Sequence, residues 1–242
     1  FLSTPFSRAA VDRLVKFKVK AFKIGSGECN NYPLVKYIAS FKKPVIISTG
    51  MNDLNSIKKA INILKKNKTQ YAILHTTNLY PTPHNLIRLN ALNEIKKNFP
   101  KIVYGLSDHT GDNYTSFAAV AMGASIIEKH FIDKSSRKGP DITASVNSNQ
   151  MKDLLRGVEL IHYAKPGGIK PVKKEKKTAE FAFASVVSDR DIEAGETLNS
   201  DNIWVRRPGT GDFSAEKYVS LFGKKIKKSI KKNTQIKRNN IF

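Results

Sequence analysis

The chain has 242 residues, of which 40% are hydrophobic and 26% are charged, a composition that supports a packed core and excludes a wholly disordered chain. The net charge is +22. Its lysines fall in short runs, without the interleaved aromatic residues of a nucleic-acid surface, so we interpret them as solvated surface and keep polyanion binding as the alternative. No apolar run approaches the ~20 residues of a membrane span. With no visible signal peptide and a single cysteine, Cys29, we expect a cytoplasmic protein with no membrane partner.

Short apolar segments alternate with amphipathic segments through the first two thirds of the chain. The pattern predicts strands at 1–4, 21–24, 44–48, 71–75, 102–106 and 124–129, and helices at 5–17, 33–40, 52–66, 113–122 and 148–163, with one more helix ending before Pro100. Such alternation is typical of an α/β protein with a parallel sheet. No glycine-rich pyrophosphate motif follows the first strand, which disfavours an open dinucleotide-binding sheet. We therefore predict an incomplete (β/α)8 TIM barrel with about six of its eight units, and we expect two units to be missing before Phe1.

The last third of the chain has a different composition. Residues 165–179 are rich in proline, glycine and lysine and lack apolar periodicity, which predicts a linker. Beyond it, a strand-like run at 181–187 and tight turns within 192–198 and 230–236 indicate a small β-rich domain. The expected organisation is a barrel domain at 1–164, a linker at 165–179 and a second domain at 180–242.

Two of the predicted strands lead into residues that can bind a metal ion. One runs into Gly105-Leu106-Ser107-Asp108-His109-Thr110, and the next runs into Ile127-Glu128-Lys129-His130. Strand, helix and strand at this spacing form parallel neighbours, so His109 and His130 should lie together at the carboxyl ends of the strands, where α/β barrels place their chemistry. Two imidazoles and a carboxylate suit a divalent transition metal. Simple capping of a strand is the alternative for either histidine alone.

Polar residues at the ends of other predicted strands indicate an anion site. The turn Gly25-Ser26-Gly27 follows the strand that carries Lys23, while Thr4, Ser48 and Ser107 end further strands. Hydroxyl groups, backbone N–H groups and a lysine together can bind phosphate or carboxylate. An ordinary turn at the end of a strand explains any one serine alone.

Several longer motifs resemble those of the bacterial N-acetylneuraminate (sialic acid) synthase family. In the barrel region they lie at 23–34, 48–51, 77–83, 105–110, 128–131 and 139–141. In the tail, residues 202–209 and 221–223 resemble the small antifreeze-like (SAF) domain of that family, a β-clip fold. The resemblance runs in order along nearly the whole chain, and the motifs together are specific although each one alone is modest.

The resemblance implies a reaction. Enzymes of this family condense phosphoenolpyruvate with N-acetylmannosamine to give N-acetylneuraminate and phosphate, while a divalent metal, Mn²⁺ or Mg²⁺, polarises the sugar aldehyde. A synthase for a related nonulosonic acid, legionaminic or pseudaminic acid, is the nearest alternative. The family's first two barrel strands supply a glutamate and a lysine that this sequence lacks, so an inactive truncated relic is a further alternative.

The resemblance also implies the roles of individual residues. His109 and His130 match the metal ligands. Glu128 matches a carboxylate that handles protons or the attacking water, with orientation of His130 as the alternative, and Lys23 is the second catalytic candidate, which would assist at the phosphoenolpyruvate site. Positions that bind phosphoenolpyruvate are matched by Thr4, Ser26, Ser48, Asn78 and Ser107, and positions that hold the amino sugar by Tyr80 and Asp141. Finally, the resemblance implies a homodimer in which the SAF domain of one subunit covers the site of its partner, with Arg207 contacting the sugar and no nucleic acid involved.

Overall fold

The computed structural model describes residues 1–134 and 136–242, and the chain forms two compact units, Phe1–Pro166 and Gly167–Phe242. The first unit contains one sheet of six parallel strands that curl into about half a barrel. The strands are β1 (Phe22–Ile24), β2 (Val45–Ser48), β3 (Tyr71–Thr76), β4 (Val103–Asp108), β5 (Ile126–Phe131) and β6 (Ser145–Val146), and they pair in chain order. The predicted incomplete barrel is thus confirmed.

The helices of this unit are α1 (Arg8–Lys16), α2 (Tyr32–Ser40), α3 (Leu54–Lys66), α4 (Ala91–Asn98), α5 (Tyr114–Ala121) and α6 (Ser148–Ala164). Helix α1 precedes β1, each later helix of this unit follows a strand, and side-chain caps begin α1, α2, α3 and α6. The Asp53 carboxylate accepts from the N–H of Ser56 at the start of α3, and Asn147 and Gln150 form a reciprocal capping box at the start of α6. In the described part of the chain, no helix combines the length and the apolar character that crossing a membrane requires.

The core lies between the sheet and these helices. A large cluster packs β1 to β3 against α1 to α3 and includes Phe22, Ile38, Ile61 and Ile73, all fully buried. A smaller cluster joins β4 to α4 and α5. Because side chains alternate between the two faces of a strand, each strand gives one set of residues to this core and the other set to the interior of the half-barrel.

Two local predictions about strands need correction. Residues 1–4 are not a strand: one backbone bond, from the N–H of Lys23 to the carbonyl of Ser3 (3.1 Å), ties this segment to β1, and one bond does not make a ladder. The sixth strand is instead Ser145–Val146, which pairs with His130 and Phe131. Two residues are too few to show the period-2 pattern by which a strand is found in a sequence.

The second unit is built on a small antiparallel pair. Helix α7 (Lys176–Ala182) precedes β7 (Ser185–Ser188), which pairs with β8 (Ile203–Arg206). Its core contains Val186, Ile192, Leu198, Ile203, Leu221, Ile226, Ile230 and Ile236. The strand predicted from 181 begins only at Ser185, since that is where β8 offers a pairing partner, and the two residues Phe181 and Ala182 belong to α7 instead.

Candidate active site

The predicted metal ligands come together at the carboxyl ends of β4 and β5. Ser107 and Glu128 are register partners on these strands, and two residues further along lie His109 and His130. Because the side-chain period of a strand is two residues, all four side chains share the interior face. The two imidazole ring centroids are 5.2 Å apart in an edge-to-face arrangement.

A backbone carbonyl orients His109, and a carboxylate lies near His130. His109 Nδ1 lies 2.9 Å from the carbonyl oxygen of Thr77; since that oxygen only accepts, Nδ1 carries the hydrogen and Nε2 keeps its lone pair. Burial lowers the pKa of His109, so the ring is neutral at physiological pH. His130 Nδ1 lies 3.5 Å from a carboxylate oxygen of Asp141. Backbone or carboxylate partners of this kind fix the rings of metal-bound histidines.

These donors fit a divalent metal in a catalytic rather than a closed structural site. Neutral imidazole nitrogens suit transition metals. Within residues 1–134 and 136–242, no cluster of three or more His, Cys, Asp or Glu side chains is arranged to hold a metal ion. His109 and His130 would therefore supply two ligands, and water or substrate would have to fill the other positions, an openness that is typical of catalytic metal sites.

Tyr80 forms one wall beside the histidines. Its ring stacks on His109 at a centroid distance of 4.2 Å and meets His130 edge-on at 5.5 Å. The N–H of Thr82 donates to the carbonyl of His109 (3.0 Å), which ties the loop carrying Tyr80 to the end of β4. Burial and the nearby carboxylates of Asp141 and Glu128 raise the pKa of Tyr80. The tyrosine stays protonated and partly exposed, so it can contact a ligand.

A charged cluster lies beside the histidines. Lys23 from β1 reaches across the interior to Glu128 on β5, with its Nζ 3.0 Å from each carboxylate oxygen. Ser107 Oγ donates to the same carboxylate (2.7 Å) and lies 3.5 Å from His109 Nε2. The Glu128 side chain is 40% exposed, so solvent and small ligands reach this cluster.

Polar groups without partners lie at the ends of β2 and β3. The N–H of Gly50 donates to Ser26 Oγ (3.1 Å), and the Asn78 amide packs so closely that a Cβ on Gly50 would lie 1.9 Å from its oxygen. Ser48 Oγ and Asn78 Oδ1 are buried without a hydrogen-bond partner among the described residues. Unsatisfied buried groups are rare and costly, so Ser48 and Asn78 are candidates for contact with a ligand.

Thr4 and Arg207 are the remaining predicted site residues. Thr4 lies beside the turn after β1, where a Cβ on Gly25 would be 3.5 Å from its methyl group. Arg207 belongs to the second unit and directly follows β8. It is exposed and takes part in none of the ion pairs formed by the described residues. Its neighbour Arg206, by contrast, is held by Asp189 (2.6 Å).

The sequence reasoning missed a buried ion pair below the histidines. Lys129 Nζ lies 3.1 Å from an Asp108 carboxylate oxygen, and the two side chains are 1% and 0% exposed. Burial by itself raises the pKa of Asp108, but Lys129 and the hydroxyls of Thr115 and Ser116 together hold the pKa below its ordinary value. The period-2 pattern of the strands could have revealed this pair. Asp108 precedes His109 and Lys129 precedes His130, so the acid and the base lie together on the opposite face of the two strands.

Comparison with known proteins gives the chain its family. The family model described as the NeuB family matches residues 1–170, and the SAF domain model matches residues 183–241. N,N'-diacetyllegionaminic acid synthase of Campylobacter jejuni subsp. jejuni serotype O:2 is 40% identical over 241 residues, which cover 98% of this chain and 72% of that protein. N-acetylneuraminate-9-phosphate synthase of Mus musculus is 30% identical, with 100% of this chain and 67% of that protein covered.

A solved structure agrees with this. The N-acetylneuraminic acid (sialic acid) synthetase of Leptospira borgpetersenii superposes with a TM-score of 0.68 at 29% identity, over 73% of this chain and 62% of that one. Since the family model spans more than half of the sequence and the relatives extend over nearly all of it, the chain belongs to the NeuB family and carries a C-terminal SAF domain.

Proposed function

We propose that the protein is a phosphoenolpyruvate-dependent nonulosonic acid synthase, which condenses phosphoenolpyruvate with an N-acetylated hexosamine and releases phosphate. The observation that carries the proposal is the juxtaposition of two imidazoles, 5.2 Å apart, with the Lys23–Glu128–Ser107 cluster at the same end of the half-barrel. Such a site offers a cation position beside an anion position, as the reaction of an enol phosphate with an aldehyde requires. Membership in the NeuB family supports it.

The anionic substrate would be bound by the charged and partnerless groups. Lys23 supplies the positive charge. The hydroxyl of Ser48, which lacks a partner among the described residues, and the amide N–H groups of Asn78 can donate to the anion. Ser26 and Ser107 add hydroxyls, and Thr4 closes the site beside Gly25. Charge-assisted bonds of this type are the strong ones, so they would offset the cost of burying these polar groups.

The chemistry of condensation needs an electrophile and a proton acceptor. His109, through Nε2, and His130 would hold a divalent ion, Mn²⁺ or Mg²⁺, which when bound polarises the aldehyde oxygen as a Lewis acid. Glu128 is half-exposed between Lys23 and Ser107. It can take a proton from the water that adds to C2 of the former enol, after which phosphate leaves. Lys23 holds the Glu128 carboxylate in place for this step through contacts of 3.0 Å to both of its oxygens.

The acceptor sugar would lie against Tyr80 and Asp141, beside the histidines. N-acetylmannosamine, which would give N-acetylneuraminate, is one candidate, and a diacetamido hexose, which would give N,N'-diacetyllegionaminic acid, is the other. The 40% identity to a synthase named for the legionaminic product, against 30% to an N-acetylneuraminate-9-phosphate synthase, favours the second acceptor.

The experiment that tests the proposal is product analysis with the complete gene product. The purified protein is incubated with phosphoenolpyruvate and each sugar, before and after chelation and with Mn²⁺ restored. We expect a nine-carbon acid and one phosphate per turnover with one preferred sugar, activity that depends on the metal, and no turnover in His109→Ala or His130→Ala.

The control is His84→Ala, an exposed histidine paired with Asp112, which should retain activity. Metal-independent turnover in both site variants would refute the metal assignment, and phosphate release without a condensed sugar would refute the reaction.

A further inference from the structure

β4 and β5 carry a second pair of register partners, one residue beyond Ser107 and Glu128. Asp108 is paired with Lys129, and their side chains point away from the interior, toward α5. The charges are almost fully enclosed, at 0% and 1% exposure, with Nζ 3.1 Å from Oδ2. This ion pair lies directly beneath the strand ends that present the two histidines.

The pair is the centre of a saturated hydrogen-bond network. Asp108 Oδ1 accepts from the backbone N–H and the hydroxyl of Thr110 (2.9 and 2.8 Å). Asp108 Oδ2 accepts from the hydroxyls of Thr115 (2.6 Å) and Ser116 (2.7 Å) on α5. Lys129 Nζ also donates to the carbonyl and hydroxyl of Thr110 (2.6 and 3.0 Å). The network therefore fixes both backbone neighbours of His109 and the residue that precedes His130.

Stability does not explain such a pair. Removing two charges from water is costly, and an apolar pair of similar volume is often as stable as a buried ion pair or more stable. A saturated ionic network does, however, impose one geometry, because its short directed bonds tolerate little displacement. An apolar pair at the same positions would pack β4, β5 and α5 together without fixing the two strand ends against each other.

We propose that Asp108 and Lys129 are positioning residues, which set the separation and direction of His109 and His130 for a shared divalent ion; this inference rests on the proposed function. The ion pair acts through the backbone: Thr110 and Asp108 hold His109 from both sides, and Lys129 holds the base of His130. Neither charged group touches the ligand.

The main test replaces the ion pair by an apolar pair, Asp108→Leu together with Lys129→Met, in the complete gene product. We expect a folded protein with a lower melting temperature, since the apolar pair preserves packing but the N–H of Thr110 and the hydroxyls of Thr115 and Ser116 lose their acceptor. The affinity for Mn²⁺, measured directly by calorimetry on the substrate-free protein, should fall about 10-fold or more, as for other residues that orient metal ligands. The KM for phosphoenolpyruvate should change less than the affinity for Mn²⁺, because Ser107 alone among the proposed anion-binding residues lies on β4.

A second variant keeps the test decisive if the double variant does not fold. Thr115→Val removes one donor to Asp108 without changing volume, and it should lower the affinity for Mn²⁺ by a smaller factor. Its matched control is Thr69→Val, which removes a buried hydroxyl that donates to the Ala39 carbonyl (3.2 Å) before β3 and should leave the affinity unchanged.

The possible outcomes separate this inference from the proposed function. Mn²⁺ affinity equal to that of the parent in the double variant and in Thr115→Val overturns the inference alone. An equal loss in Thr69→Val also overturns it, because the effect would then be general destabilisation. A parent protein that binds no Mn²⁺ refutes the metal assignment and this inference together.

Discussion

Two serines of the proposed anion site, Ser26 and Ser48, differ in their hydrogen bonding. Ser26 Oγ accepts from the N–H of Gly50, so it has a structural task in the ligand-free protein. Ser48 Oγ is buried and has no partner among the described residues. A buried hydroxyl in that state contributes an unfavourable desolvation term until a ligand arrives. The two positions therefore separate ligand binding from stability.

We predict that Ser48→Ala and Ser26→Ala both raise the KM for phosphoenolpyruvate more than that for the sugar. A hydrogen bond to a charged group contributes about 1.5–3 kcal/mol, which corresponds to roughly 10-fold or more in steady-state kinetics. Ser48→Ala should keep or slightly increase the free energy of unfolding in urea, whereas Ser26→Ala should lower it, because the N–H of Gly50 loses its acceptor. An effect confined to the sugar KM would show that the two substrates are placed the wrong way round.

At the scale of elements, the contact between β4 and β5 depends on one glycine. Gly105 is the register partner of Ile126, and a Cβ on Gly105 would lie 2.0 Å from the Ile126 carbonyl oxygen. A backbone atom cannot move aside as a flexible side chain can. The same two strands present both histidines, so their close approach determines the site as well as the fold.

We predict that Gly105→Ala lowers the free energy of unfolding by about 3 kcal/mol, toward the upper end of overpacking penalties, and weakens Mn²⁺ binding with it. The matched control is Gly27→Ala, since no atom lies within 4 Å of a Cβ built there. Urea denaturation followed by circular dichroism measures both variants. Equal stability of Gly105→Ala and the parent protein would mean that the strands are spaced more widely than the structure shows.

At the scale of the whole molecule, the SAF domain offers an exposed arginine that the barrel site lacks. Arg206 is engaged by Asp189, while Arg207 is exposed after β8. We propose a homodimer with exchanged SAF domains, in which Arg207 of one subunit contacts the acceptor sugar in the site of the other. A guanidinium suits this contact, because its planar donors match the carbonyl oxygen of an N-acetyl group.

We predict that mixing two inactive proteins restores activity. In a mixture of His109→Ala and Arg207→Ala subunits, each mixed dimer has one site with both lesions and one site with neither, so turnover should reappear as subunits exchange. Each variant alone should be inactive or nearly so, and Arg206→Ala serves as the control that keeps activity. If mass spectrometry shows mixed dimers and no activity returns, the exchanged arrangement is wrong.

The sequence by itself determined most of the strands and helices, and it determined that His109 and His130 lie on neighbouring strands. Apolar runs and caps such as Asp53 located most strands and helices, because these signals are local and repeat with the period of the element. The spacing from His109 to His130 was enough to predict neighbours, since a strand–helix–strand unit leaves little choice of topology. Residues 1–4 were wrongly predicted to be a strand, because a strand exists only where a partner provides a ladder. The strand Ser145–Val146 was not predicted, because its two residues are a strand only through their pairing with β5.

Only the tertiary structure decided which groups meet across the interior. The contact of Lys23 with Glu128 joins residues 105 positions apart, and it depends on the curl of the sheet, which no local pattern encodes. The stacking of Tyr80 on His109 and the missing partner of Ser48 depend in the same way on how loops close over strand ends. Local periodicity tells which face of a strand a side chain occupies, but only the assembled sheet determines which side chains share that space and which polar atoms remain open to a ligand.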